Sequence, residues 1–455
     1  MFGLDRRIPS DVLRHPSECS LLLRPGSPFQ ESHSDHLDIG GIELEQALFR
    51  QYLSKLTGGR LAVTYWDSSS EVLGADGPII GPLVFHDRSA LKQIIYDTDL
   101  GFGEAYMDGR LDFHGDIHDL VLLIQNNASR LTQLFQTGLI RVLKRGFDKA
   151  TSVKEQRADI YHHYDLGNDF FKLFLDPSMT YSCAYFKSPE DSLETAQLQK
   201  IDHILRKLNL SPHESLLDIG CGWGGMIQRA ATNFGVTAHG ITMAQEQVIE
   251  AEERVQVANL SGKVTVELSD YRQHAADIVK THKQYDKIVS VGMYEHVGRP
   301  NLGLYIKAVA DMLKPGGLAL IHYISKMKED PAGSFTTKYI FPGGYIPSLR
   351  ETIALLPEQD LRVLDIENIR LHYAYTLDAW ADNFEKNLSQ VREIFANRER
   401  LGERWGGQIE AEQFIRMWRL YLRGSAAGFR SGELDLHQIL VSKGANNGLP
   451  LTRGE

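Results

Sequence analysis

The sequence predicts an α/β fold in which a parallel sheet carries helices on both faces, with a smaller α+β domain before it. From about residue 200 onward, helical stretches alternate with apolar runs of strand length, at 215–220, 237–242, 264–268, 286–293 and 318–324. The helical stretch between the second and third runs places its apolar residues on one face. Such alternation is typical of sheets that bind ligands beyond the carboxyl ends of their strands.

Composition excludes several classes of protein. The chain has 455 residues, and its 49 Lys and Arg against 59 Asp and Glu give a net charge of −10, which argues against nucleic-acid binding. Its 3 cysteines have no CxxC spacing, so we expect neither a bound metal nor a disulfide framework, and a cytoplasmic location. Since no run of apolar residues is long enough to span a bilayer, any contact with a membrane should be peripheral.

The chain divides into four predicted regions. We expect a mobile leader at 1–40, an α+β domain at 41–128, a linker helix at 129–160 and a catalytic domain at 161–440. The beginning of the linker mixes apolar residues with Arg130, Arg141, Lys144, Arg145 and Lys149. A basic amphipathic helix of this kind can lie on an anionic membrane, and the alternative is an ordinary interdomain helix with solvated charges. Within the α+β domain, GFGEAYMDGRLDFHGD is predicted to form a tight β-turn element.

A glycine-rich turn follows the first predicted strand of the catalytic domain. LLDIGCGWGG at 216–225 contains Gly220, Gly222 and Gly224, and Asp218 precedes them. The spacing is neither the GxGxxG of dinucleotide binders nor a triphosphate loop. It resembles motif I of S-adenosylmethionine (SAM)-dependent methyltransferases. The next strand ends without an acidic residue for the ribose, so Thr242 or Gln247 must substitute.

The strand after that ends in LSDYR, which contains Asp270. This carboxylate could accept a hydrogen bond from the adenine amino group. The alternative is an exposed turn aspartate without a ligand.

Several long motifs occur in a fixed order along the chain. They are HYDLGNDFF, TYSCAYF, DIGCGWGG, SVGMYEHVG, FPGGYIPS and HYAYTL. Over about 155–430 the sequence resembles the cyclopropane-fatty-acyl-phospholipid synthase and mycolic acid cyclopropane synthase family. GEAYMDGRLDFHGDI resembles the lipid-carrier-like N-terminal domain of the longer bacterial members. The resemblance implies a Rossmann-like class I methyltransferase domain that uses SAM.

The resemblance also implies roles for individual residues. It implies a bicarbonate site formed by Cys183, Glu295, His322, Tyr373 and the main-chain amide of Ile324. Tyr164 matches the tyrosine that faces a carbocation in this family. The implied cofactor-binding residues are Tyr181, Ser182, Gly220, Gly222, Thr242, Gln247, Asp270, Tyr271 and Arg272. Without the resemblance, each of these residues also has a purely structural interpretation. Cys183 could be a small buried residue, His322 a histidine of the core and Glu295 a carboxylate at the start of a helix.

The resemblance implies methylene transfer from SAM to cis double bonds of phospholipid acyl chains, and we expect it to occur at the inner face of the membrane. The resemblance also implies a carbocation that is deprotonated by bicarbonate, and we expect the chain to form a homodimer. The nearest alternative is a related methyltransferase that makes methyl or methylene branches. A non-catalytic lipid-binding protein and a small-molecule N- or O-methyltransferase are further alternatives.

Overall fold

A computed structural model describes residues 44–128, 166–330, 333–397 and 409–450. The described residues all belong to one compact unit, Leu44–Glu455. The predicted leader at 1–40, the predicted linker helix at 129–160 and Tyr164 lie outside the described residues.

Residues 44–128 contain a 4-stranded sheet of order β2-β1-β3-β4. Strands β1 and β3 are parallel, whereas β1–β2 and β3–β4 are antiparallel. The elements are α1 (Leu44–Leu53), β1 (Arg60–Thr64), β2 (Ser70–Leu73), β3 (Ile79–Phe85), α2 (Arg88–Tyr96), α3 (Thr98–Met107), β4 (Leu111–Phe113) and α4 (Ile117–Asn126). Because Leu61 and Val63 point inward from alternate positions of β1, one face of this sheet forms a buried core.

The GFGEAYM segment differs from the predicted turn, because it forms most of α3. Asp97 caps the helix by accepting a hydrogen bond from the Leu100 amide at 3.2 Å. The glycines serve close packing: a Cβ on Gly101 would lie 2.4 Å from the backbone of Gln93, and one on Gly103 would lie 2.1 Å from the Phe335 ring. The two glycines therefore let α3 pack directly against its neighbours.

The described residues between 166 and 450 contain the larger sheet and correspond to the predicted catalytic domain. Its helices are α5 (Asn168–Lys172), α6 (Leu193–Lys207), α7 (Gly225–Phe234), α8 (Gln245–Val257), α9 (Tyr271–Thr281), α10 (Leu302–Met312), α11 (Ser334–Tyr339), α12 (Leu349–Leu355), α13 (Arg370–Lys386), α14 (Leu388–Asn397) and α15 (Ala411–Ser431). Its strands are β5 (Ser215–Ile219), β6 (Thr237–Thr242), β7 (Val264–Leu268), β8 (Tyr285–Val291), β9 (Leu313–Ser325), β10 (Leu361–Asn368) and β11 (Asp435–Lys443). Short 3₁₀ turns lie at Tyr294–His296, Arg299–Asn301 and Pro357–Gln359.

The catalytic sheet has 7 strands in the order β10-β11-β9-β8-β5-β6-β7. The strands predicted from the sequence are β5 to β9, and they pair in parallel, which confirms the α/β fold. Two strands were not predicted: β11 pairs antiparallel with β9, and β10 pairs antiparallel with β11. The carboxyl ends of the parallel strands meet at one edge of the sheet.

The N-terminal domain packs against the catalytic domain through charged and aromatic contacts. Arg416 of α15 donates to the carbonyl oxygens of Tyr106 and Leu111, and to the Asp112 carboxylate at 2.6 Å. Its guanidinium lies 4.1 Å from the centroid of the Tyr106 ring. These contacts fix the position of α3 on the catalytic domain.

An aromatic cluster fills the space between α5, α13 and α15. Its buried members pack edge to face or tilted, and they are Phe170, Phe174, Trp380, Phe384, Phe414 and Trp418. These side chains form the core of this part of the molecule. In the part of the chain that the structure describes, no helix is both long and apolar enough to cross a bilayer.

Candidate active site

Two cavities of different character adjoin at the carboxyl edge of the catalytic sheet. The smaller, of about 110 Å³, lies beside the glycine-rich turn, and the larger encloses about 900 Å³. Tyr181, Ser182, Gly292 and His296 line both. A group bound in the smaller cavity would therefore face a chain bound in the larger one.

The glycine-rich turn shapes the smaller cavity through its backbone conformation. Gly220, Gly222 and Gly224 have φ values of +82°, +54° and +82°, which L side chains rarely adopt. Gly220 and Gly222 line the cavity, whereas Gly224 caps α7 behind it. A Cβ on Gly220 would also lie 3.1 Å from the Cβ of Met293.

Asp218 and Lys200 place opposite charges at this cavity. Burial raises the pKa of Asp218 to about 7, although the Lys200 charge opposes the rise. Burial lowers the pKa of Lys200 to about 8. The Lys200 ammonium donates to the Ser182 hydroxyl at 2.7 Å. The cavity therefore offers a carboxylate and an ammonium to a ligand that carries both signs of charge.

The ends of β6 and β7 supply further polar groups. The Thr242 hydroxyl donates to Gln247 Oε1 at 2.7 Å, so the amide nitrogen of Gln247 is the group left to donate to a ligand. Tyr271 lines the cavity, but Asp270 and Arg272 do not.

Asp270, for which an adenine contact is predicted, bonds within its own turn in the structure. Its carboxylate accepts the Arg272 amide at 2.8 Å as the cap of α9, and it also accepts the Arg272 guanidinium. Asp270 is also buried, so the alternative of an exposed turn aspartate is wrong.

Residues from distant segments come together in the larger cavity. Its lining includes Cys183, Glu295, His322, Ile324 and Tyr373. The predicted contact of the Ile324 amide with an anion differs from the structure, because this amide donates to Glu295 Oε1 at 2.7 Å. The amide thereby orients the carboxylate.

Glu295 and His322 each present a shielded polar atom with no hydrogen-bond partner among the described residues. These atoms are Glu295 Oε2 and His322 Nε2. Burial raises the pKa of Glu295 to about 7, against the lowering effect of the Ile324 amide. Burial, reinforced by the charges of Lys200 and Lys207, holds the pKa of His322 well below its usual value, so this imidazole is neutral near pH 7.

The hydrogen bonds of Gln438 determine which nitrogen of His322 carries the proton. Lys207 donates to Gln438 Oε1 at 3.0 Å, so the amide nitrogen of Gln438 is the atom that lies 3.2 Å from His322 Nδ1. Because an amide nitrogen can only donate, Nδ1 accepts and the proton lies on Nε2. His322 therefore presents an N–H donor.

Cys183 and Tyr373 complete this group. The Cys183 thiol donates to the Ala184 carbonyl at 3.1 Å, and burial raises its pKa, so it remains a thiol rather than a nucleophilic thiolate. The Tyr373 ring lies 4.7 Å from that of Phe429 and 6.0 Å from that of Trp380.

The N-terminal domain contributes part of the lining of the larger cavity. Phe102 from α3 and Val121 and Ile124 from α4 line it. The lining also includes Phe341 and Tyr345 from the FPGGYIPS loop, and Tyr345 donates its amide to the Glu295 carbonyl at 2.9 Å. The larger cavity is therefore shared between the two domains.

Comparison with known families decides the identity of the catalytic domain. The sequence model described as Mycolic acid cyclopropane synthetase matches residues 151–439. The chain belongs to this family. A second model, described as Domain of unknown function (DUF7884), matches residues 48–134.

Individual relatives agree with the family assignment. The chain is 35% identical over 402 residues to a probable fatty acid methyltransferase of Pseudomonas putida, which covers 86% of this chain and 95% of the relative. It is 38% identical over 366 residues to cyclopropane-fatty-acyl-phospholipid synthase of Escherichia coli K12, covering 80% and 88%.

A solved structure of mycolic acid cyclopropane synthase CmaA1, complexed with SAH and CTAB, has 31% identity and a TM-score of 0.55, covering 63% of this chain and 98% of that one. The protein is a SAM-dependent methyltransferase of the cyclopropane synthase family.

The smaller cavity of this family member suits SAM. The cofactor carries an ammonium and a carboxylate on its amino-acid part, and Asp218 and Lys200 supply the opposite charges. Asp218 would hold the ammonium, Lys200 and Ser182 the carboxylate, and Gln247 a ribose hydroxyl. When bound, SAM supplies the methyl group.

Three residues of the site were missed in the sequence. Lys200 lies on the apolar face of α6 that contains Ile201 and Ile204, and a lysine at that spacing is a readable signal. Gln438 follows His437 and precedes the apolar residues Ile439, Leu440 and Val441 of β11. His296 follows Glu295 directly, and nothing in its sequence context distinguishes it from a surface histidine.

Proposed function

We propose that this protein transfers a methylene unit from SAM to cis double bonds of phospholipid acyl chains and closes a cyclopropane ring. The observation that carries the proposal is the junction of the two cavities at Tyr181, Ser182, Gly292 and His296. One cavity suits a charged cofactor, and the other is long, apolar and provided with a carboxylate and a histidine. A reaction between a sulfonium methyl group and an alkene needs both.

The larger cavity supports an acyl chain as substrate. Its volume of about 900 Å³ lies at the upper end of the roughly 300–1,000 Å³ of ligand pockets. Its lining also includes Lys326, Met327 and Lys328, and Met327 is 79% exposed. Lys326 lies 3.9 Å from Glu433, whereas Lys328 is exposed and is the group at this position that would contact the anionic phosphate of a lipid. A basic segment at 129–150 would bring the protein to an anionic membrane surface.

Neutral and aromatic groups surround the place where positive charge would develop. Burial lowers the pKa of His296 to about 4, so this ring adds no positive charge at the junction. The Tyr181 hydroxyl lies 3.0 Å from that of Tyr421, and Phe341 packs on Tyr421 at 5.8 Å. Aromatic faces stabilise a desolvated cation by about 2 kcal/mol.

Bicarbonate fits the group formed by Glu295 and His322. Glu295 and His322 both line the larger cavity, and each has a shielded atom without a hydrogen-bond partner among the described residues. Glu295 Oε2 is an acceptor, and His322 Nε2 is an N–H donor. Bicarbonate offers both a hydroxyl and an anionic oxygen, so Glu295 Oε2 would accept its proton and His322 Nε2 would donate to it. When bound, bicarbonate supplies the base for the added methyl group. Cys183 and Tyr373 would border it.

A second candidate product is a methyl- or methylene-branched chain. The specific observation in its favour is the 35% identical relative described as a probable fatty acid methyltransferase, of which the alignment covers 95%. Both reactions need the same cofactor and the same alkene pocket. The product therefore has to be measured.

Product analysis tests the proposal. The full chain is incubated with SAM and vesicles of phosphatidylglycerol that bear cis-monounsaturated chains, and the acyl chains are analysed by mass spectrometry. We expect a gain of 14 mass units, with fragments specific for a ring. Detection of an unsaturated branch, which has the same mass as the ring, would favour the second candidate product over the cyclopropane. So would a gain of 16 mass units, which corresponds to a reduced methyl branch. Reaction with free fatty acid but not with vesicles would contradict the phospholipid substrate.

Narrowing the cavity from the N-terminal domain should reduce activity. Val121→Trp places a large ring on the cavity wall, and we expect the loss of room to cost about 1–3 kcal/mol in kcat/KM for long chains. The matched control is Leu122→Trp, because Leu122 is the next residue on α4 and does not line the cavity. Equal effects of both variants would show that the N-terminal domain does not contact the substrate.

A further inference from the structure

A second cluster of metal-ligand side chains lies away from both cavities. It consists of His239 on β6, Glu267 on β7 and His274 on α9. His239 Nε2 lies 3.3 Å and His274 Nδ1 lies 3.7 Å from Glu267 Oε2. The three ligand atoms lie within 4.8 Å of one another, and none of the three residues lines either cavity.

The remaining ring nitrogens of both histidines are held by hydroxyl groups. His239 Nδ1 lies 2.6 Å from Thr265 Oγ1, and His274 Nε2 lies 3.0 Å from the Tyr285 hydroxyl. A hydrogen bond to the ring nitrogen that does not bind the ion is the usual way to orient a metal-ligating histidine. Each imidazole therefore turns its other nitrogen toward Glu267.

The types of ligand also suit a cation, because imidazole nitrogens and a carboxylate oxygen are common ligands of zinc. The two rings stack with centroids 5.1 Å apart, and His239 Nε2 is shielded without a well-formed hydrogen bond. The Glu267 side chain is 50% exposed, which leaves an entry path and room for a water ligand.

We propose that His239, Glu267 and His274 bind a divalent ion of the zinc class. Zinc bonds of ~2.0–2.1 Å in a tetrahedron place neighbouring ligand atoms roughly 3.3 Å apart, close to the 3.3 and 3.7 Å that separate Glu267 Oε2 from the two histidine nitrogens. Two imidazoles, one carboxylate and a water complete four positions. The ion joins β6, the edge strand β7 and α9, and it acts on stability rather than as part of the methyl-transfer chemistry.

Metal titration tests the site. The tag-free full chain is stripped with a chelator and titrated with Zn²⁺ by calorimetry, and with Co²⁺ by its visible absorption. We expect one ion per chain, a tetrahedral Co²⁺ spectrum and a higher melting temperature. Thr265→Val removes only the hydroxyl behind His239 and lies on an exposed position, so it should fold normally and bind the ion about 10–100-fold more weakly.

Two ligand variants and one control sharpen the test. Glu267→Gln and His274→Phe should abolish stoichiometric binding, whereas His282→Asn, an exposed change at the end of the same helix, should leave it unchanged. Absence of a stoichiometric ion in the wild-type chain would overturn the proposal. So would an unchanged affinity in Thr265→Val and Glu267→Gln.

Discussion

Glu295→Gln should reduce the rate of methylene transfer by about 10²–10⁴-fold, the range in which a positioned acid or base contributes. The side-chain amide has the shape of the carboxyl group, and its oxygen can still accept the Ile324 amide. The NH₂ group of glutamine, which takes the position of Oε2, cannot accept a proton. Activity is measured as methyl transfer to vesicles, and SAM binding by calorimetry. Since Glu295 does not line the smaller cavity, SAM affinity should be unchanged.

The pH profile should change with the same variant. The pKa of Glu295 is raised to about 7, and the proposed role needs the ionised form. Activity is measured at saturating SAM, because the pKa of Asp218 in the smaller cavity is also raised to about 7 and would otherwise change SAM binding over the same range. Under this condition, wild-type activity should fall as the pH decreases through about 7, and the small residual activity of Glu295→Gln should lack this dependence. Glu358→Gln, an exposed change in another 3₁₀ turn, is the matched control. Full activity in Glu295→Gln would rule out the proposed acceptor role.

The parallel part of the fold could be predicted because its strands contain short segments rich in apolar residues that alternate with helical stretches. Strands β10 and β11 could not be predicted from the sequence. Most of β10 is exposed or half-buried, whereas β11 is buried but interrupted by His437 and Gln438. Strand β11 also pairs with β9 from far along the chain. Such long-range pairing leaves no local pattern in the sequence.

The site shows the same division between local and distant signals. Glu295 follows β8 and His322 lies near the end of the neighbouring parallel strand β9, so their proximity follows from the topology.

The prediction for the segment GFGEAYM was wrong because its glycines suggested turns, whereas they allow the helix to pack against Gln93 and Phe335. Gln438 faces His322 because the two are partners in the β11–β9 register. That partnership depends on tertiary structure alone.

Gln438→Leu should lower methylene transfer by roughly 10²-fold, comparable to the loss of one donor from a preorganised site. Gln438 is a positioning residue: its amide nitrogen donates to His322 Nδ1 at 3.2 Å, and Lys207 holds its oxygen at 3.0 Å. Without this donor, the proton of the neutral imidazole can move to Nδ1. The donor would then be lost at Nε2, where the proposed anion binds.

Gln438→Glu distinguishes this orienting role from simple packing. A carboxylate has nearly the same shape as the amide and can keep the contact with Lys207, but it accepts a hydrogen bond from Nδ1–H. The neutral imidazole then carries its proton on Nδ1 and has none on Nε2. We therefore expect low activity in this variant as well, with SAM affinity retained. Ser442→Ala, also buried on β11, should keep full activity. Nitrogen-15 spectra of labelled histidine, assigned with His322→Asn, should show the proton on Nε2 in the wild type and on Nδ1 in Gln438→Glu. Wild-type activity in Gln438→Glu would contradict the tautomer argument, because packing alone tolerates that change.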